Sequence, residues 1–66
     1  MISIGGLNIG DKIKVNLDGL IGRGRITDFK KERDVIYYQV DIENKKKFEV
    51  HMTDGELWVW DADIDG

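Results

Sequence analysis

Sixty-six residues allow one domain with a thin core, because a chain this short buries only about 60% of the surface its unfolded form exposes. With no cysteine, one histidine and one serine, the composition excludes disulfide bracing and thiolate metal centres and leaves almost no nucleophile–base pair. The formal charge of −3 is unevenly spread: residues 1–52 hold ten Lys/Arg against eight Asp/Glu, and residues 53–66 hold five Asp/Glu and no Lys/Arg.

Residues 1–8 read as a lead-in to a single domain. Met1-Ile2-Ser3-Ile4-Gly5 lacks the basic start and long apolar stretch of a secretion signal, and no run approaches the ~18 apolar residues of a membrane span. A cytoplasmic location away from membranes is the expectation. Nine isoleucines against one alanine, with abundant lysine and aspartate, suggest AT-rich coding of the kind found in bacteria and their phages.

The first predicted strand covers 11–17, where Ile13, Val15 and Leu17 alternate with polar residues. Asp18-Gly19 then supplies a turn pair that tolerates positive φ. The second strand, 20–29, carries Gly22 and Gly24 on one face, a spacing that permits bending or close packing, and Arg23 and Arg25 on the other. The charged run Lys30-Lys31-Glu32-Arg33-Asp34 reads as the next loop, a register that would set Gly24 beside Tyr38.

The clearest strand is 35–42, with Ile36, Tyr38, Val40 and Ile42 on its core face and Tyr37 on the other. A fourth strand is predicted over 46–52, with Phe48, Val50 and Met52 inward, His51 outward and Val40 opposite Val50. Thr53-Asp54-Gly55-Glu56 suits one short 3₁₀ turn. The last strand, 57–60, separates Leu57 and Val59 from Trp58 and Trp60 by alternation; which pair faces the core is open. Residues 61–66 read as a solvated acidic tail.

The run Ile9-Gly10-Asp11-Lys12-Ile13-Lys14-Val15, followed by Gly22-Arg23-Gly24-Arg25-Ile26, resembles the opening of SH3-like barrels of the KOW and Tudor type. Phe48-Glu49-Val50, Thr53-Asp54 and Leu57-Trp58 fit the closing half of such a domain, so the similarity spans roughly residues 9–60. It implies an all-β, five-stranded small barrel. It does not imply an activity, since barrels of this kind bind proteins, RNA, DNA and modified peptides.

Two surfaces compete for function. Trp58, Trp60 and Tyr37, if outward, form an aromatic patch beside Glu56 and Asp61, the kind of anchor set used to hold a protein partner with a cationic surface. This non-enzymatic protein-binding reading is preferred, as a small accessory or regulatory protein. The alternative is a nucleic-acid-binding barrel in which Arg23, Arg25, Lys30, Lys31 and Lys46 contact phosphates and Tyr37 stacks on a base. Asp61-Ala62-Asp63-Ile64-Asp65-Gly66 matches the first six positions of a calcium loop, but the later ligands are missing. No metal, cofactor or catalytic residue is expected.

Overall fold

A computed structural model describes residues 7–65. Four antiparallel strands, β1 (Lys12–Leu17), β2 (Leu20–Glu32), β3 (Val35–Ile42) and β4 (Leu57–Trp60), form one open sheet in the order β1-β2-β3-β4. Each strand pairs with the next along the chain. Asp18 and Gly19 both take positive φ (53° and 90°), the geometry that matches a two-residue turn to the twist of its flanking strands.

β2 serves two partners in succession. Residues 20–25 pair with β1 and residues 24–32 pair with β3, with a bulge at Thr27 between Ile26↔Val40 and Asp28↔Gln39. The extra residue bends the strand and raises its local twist. Gly22 and Gly24 lie on the core side of this bent segment, where added Cβ atoms would collide with the ring of Phe48 and with Asp41 O and Val40 Cγ1, respectively. The alternating glycines thus make room for a ring on one side and for the neighbouring strand on the other.

The core gathers Ile13 and Val15 from β1, Ile26 from β2, Tyr38, Val40 and Ile42 from β3, Leu57 and Val59 from β4, and Phe48 from the connection. Ile36 is half-buried against it, as are Met52 and Ile64. Apart from the Tyr38 phenol, no polar side chain is buried among the described residues. No helix there is long and apolar enough to cross a membrane.

The segment predicted as a strand over 46–52 is instead a 3₁₀ helix, Lys45–His51, entered through Asn44 in the left-handed region (φ 57°). The edge of β3 it would have used is taken by β4, which sets Val40 opposite Leu57 rather than Val50. Left without a strand to pair with, the segment coils so that Phe48 is fully buried while Val50 is 86% exposed. Residues three apart share a face in this geometry, which explains why Phe48 and not Val50 reaches the core. The expected fourth of five strands is therefore absent from the sheet, and His51 sits half-buried at the end of a helix rather than on a strand.

Two turns also differ from expectation. β2 runs on through Lys30 and Lys31 to Glu32, and only Arg33 and Asp34 form the turn, with Arg33 at φ 56°. The shorter turn moves the register, so Tyr38 faces Phe29 and Gly24 faces Ile42. Thr53 and Glu56 exchange backbone hydrogen bonds of 2.9 Å in both directions around Asp54 and Gly55, which both have positive φ. That is a left-handed two-residue turn, not a 3₁₀ turn.

After β4, Asp61–Asp63 makes a short 3₁₀ turn that returns the chain to β1. Ile64 bridges Val15, and the Asp65 N–H donates to Lys14 O at 2.7 Å. The acidic segment is thereby docked by an isoleucine.

Candidate functional site

The alternation of β4 is resolved by burial: Leu57 and Val59 enter the core, and Trp58 and Trp60 lie on the outer face. Cross-strand register brings the outer aromatics together. Trp60 is directly opposite Tyr37, and Tyr37 is directly opposite Lys30, so Lys30, Tyr37 and Trp60 form a row across three strands. Trp58 stands in the adjoining row opposite Gln39. Trp60 remains 45% exposed, while Trp58 and Tyr37 are half-buried.

Polar groups lie against the rings of Trp58 and Tyr37. The Trp58 indole Nε1–H donates to Glu56 Oε1 at 3.2 Å. Lys30 Nζ lies 4.5 Å from the Trp58 ring centroid and 6.0 Å from that of Tyr37, and 3.3 Å from Glu32 Oε1. An ammonium at such distances is attracted by the negative ring face. The rings, Lys30, Glu32, Glu56 and the Thr53–Asp54 corner bound a shallow cavity of about 400 Å³. Three carboxylates around two aromatic rings suit a cation, and the protein's own Lys30 occupies part of that space.

Of the residues expected to bind protein, Tyr37, Trp58, Trp60 and Glu56 come together here. Asp61 follows directly on Trp60 and acts on the buried Tyr38: burial pushes the Tyr38 phenol above the usual tyrosine range, and the Asp61 charge adds to the rise.

The nucleic-acid set does not assemble in one place. Arg23 and Arg25 face β1, where they stand opposite Lys14 and Lys12. Tyr37 and Lys30 belong to the aromatic row, away from the two arginines, so the base-stacking ring and the guanidinium groups of the nucleic-acid reading are not neighbours. Lys31 is opposite Ile36, and Lys46 is exposed on the 3₁₀ helix. What sequence reasoning missed is the partnership of Lys12 and Lys14 with the arginines. The signal was present in the shared alternation of the two strands, but only their register shows the four charges facing one another.

The three aspartates of the calcium-like run are separately engaged or apart. Asp63 Oδ2 accepts the Trp60 N–H at 3.5 Å, and Asp65 lies 3.8 Å from Lys14 Nζ. No three His, Asp or Glu residues among those described are grouped to hold a metal ion.

The geometry defines a small, all-antiparallel four-stranded β domain with an aromatic outer face. No family model matches the chain, and no curated protein or solved structure matches it.

Proposed function

We propose that the protein is a non-enzymatic recognition module that binds a basic segment of a protein partner on the face of Tyr37, Trp58 and Trp60. The observation that carries this reading is the cavity in which two aromatic rings and Glu32, Asp54 and Glu56 surround a single ammonium, that of Lys30. A partner's lysine or arginine meets the same attraction there, and the exposed Trp60 supplies apolar area next to it. The domain's architecture is read as SH3-like, with the link from Ile64 and Asp65 to β1 supporting closure towards a barrel. The composition supports a cytoplasmic accessory protein of bacterial or phage origin.

An NMR titration with a short lysine- and arginine-rich peptide at physiological salt tests the reading. Saturable shifts of both indole N–H signals are expected, and Trp60→Ala should remove them while the amide spectrum stays dispersed. Absence of indole shifts, or shifts confined to Asp63 and Asp65, would overturn it.

A further inference from the structure

The antiparallel register of β1 and β2 sets Lys12 directly opposite Arg25 and Lys14 directly opposite Arg23. Directly opposed like charges on a strand pair are destabilising, so four cations in this arrangement need an explanation. Only Lys14 has a carboxylate within ion-pair distance, Asp65 at 3.8 Å. Asp41, the neighbour of Arg25 across β3, is instead paired with Lys45 at 3.3 Å. Lys12, Arg23 and Arg25 therefore have no ion-pair partner among the described residues. All four cations line one groove of about 690 Å³, with the backbone of Gly24 between the two arginines and Asp41, Glu43 and Asp65 on the lining.

We propose that this groove is a binding site for a compact phosphate group, separate from the aromatic face. Two guanidinium forks and an ammonium match the oxygens and charge of a phosphate monoester, and arginine is suited to bidentate contact with it. The carboxylates of Asp41, Glu43 and Asp65 select against a long polyanion, which would have to pass over them. A bound dianion also relieves the repulsion between the opposed pairs. The site therefore recognises a terminal phosphate, whether free or carried by a small molecule such as a mononucleotide.

The test is an amide NMR titration with inorganic phosphate, with a mononucleotide as a second arm, a short oligothymidylate as a third and sodium chloride of equal ionic strength as control. Saturable shifts at residues 12–14 and 23–25 are expected, with a dissociation constant on the order of millimolar. Arg25→Gln should weaken phosphate binding about tenfold, as loss of a charge-assisted contact predicts. Phosphate should raise the melting temperature of the native chain more than chloride does, and this gain should be clearly smaller in Arg25→Gln. Lys12→Gln gives an independent check from the facing strand. If the mononucleotide binds more tightly than inorganic phosphate, the carrier contributes; equal affinity identifies the phosphate alone as ligand. The proposal is overturned if phosphate and chloride act alike, if the shifts spread equally over Lys45–Lys47, or if oligothymidylate binds far more tightly with a steep salt dependence.

Discussion

Gly22 lies against the ring of Phe48, so close that a methyl group in place of its hydrogen would enter the ring. The contact joins the second strand to a helix more than twenty residues later, and it depends on glycine at 22. Phe48 is fully buried with Ile42 beside the same position, so the ring has little room to yield.

Gly22→Ala should therefore destabilise the domain by about 1–3 kcal/mol, the range for overpacking a tight core. Urea denaturation followed by tryptophan fluorescence measures this. Pairing Gly22→Ala with Phe48→Leu should recover part of the loss, because the smaller side chain vacates the contested space. Equal or greater loss in the double variant would contradict the packing account.

Lys30 over Trp58 predicts a second outcome. Lys30→Ala removes the ammonium from the ring face, so Trp58 fluorescence should shift towards that of a more solvated indole. Side chain 30 is 45% exposed, so the stability change should be small, about 0.5 kcal/mol, the scale of an exposed cation–π contact. Binding of the basic peptide should tighten, since no internal cation has to be displaced. Weaker binding would show that Lys30 is part of the recognition surface rather than an occupant of it.

Arg33 holds φ at 56° without being glycine, asparagine or aspartate. A left-handed conformation is unfavourable for such a residue by roughly 1–2 kcal/mol. Arg33→Gly should raise stability by about 0.5 kcal/mol after the greater freedom of glycine in the unfolded chain offsets part of the relief. Thermal melts of the two proteins decide it. A lower midpoint for the glycine variant would mean that the arginine side chain has a stabilising contact.

Alkaline pH tests the Tyr38 environment. The folded phenol loses its proton at higher pH than the unfolded one, whose value is about 10. The folded state thus retains a proton that the unfolded state releases, and stability falls as pH rises through and above 10. The contribution is complete below that point. Alkaline melts should show this decline in the native chain and a shallower one in Tyr38→Phe; identical slopes would place the titration elsewhere. Asp61→Asn should move the onset of tyrosinate absorbance to lower pH.

Period-two patterning made β1, β3 and β4 legible, because each keeps one face in the core and the other in solvent. It failed at Lys45–His51, where Phe48, Val50 and Met52 imitate a strand. Sequence alone did not reveal that β4 would claim the edge of β3 and leave those residues without a strand to pair with. The five charged residues from Lys30 to Asp34 looked like a loop, although three belong to β2 and one lies along an aromatic face. The aromatic site was legible as a set of residues, but which side of β4 faced outward required the packing of Leu57 and Val59. The cationic groove was legible only in part, since neighbours across a strand pair depend on register and not on order along the chain.

The bridge from Ile64 to Val15 makes the first strand wait for the last described segment. During synthesis, the bonds that Ile64 and Asp65 make to β1 cannot form until nearly all the residues described here have left the ribosome. Contacts of such long sequence separation slow folding, because a large loop must close before the contact forms. A nascent chain halted before Ile64 would lack this cover on β1, which makes premature termination a route to intermolecular strand pairing.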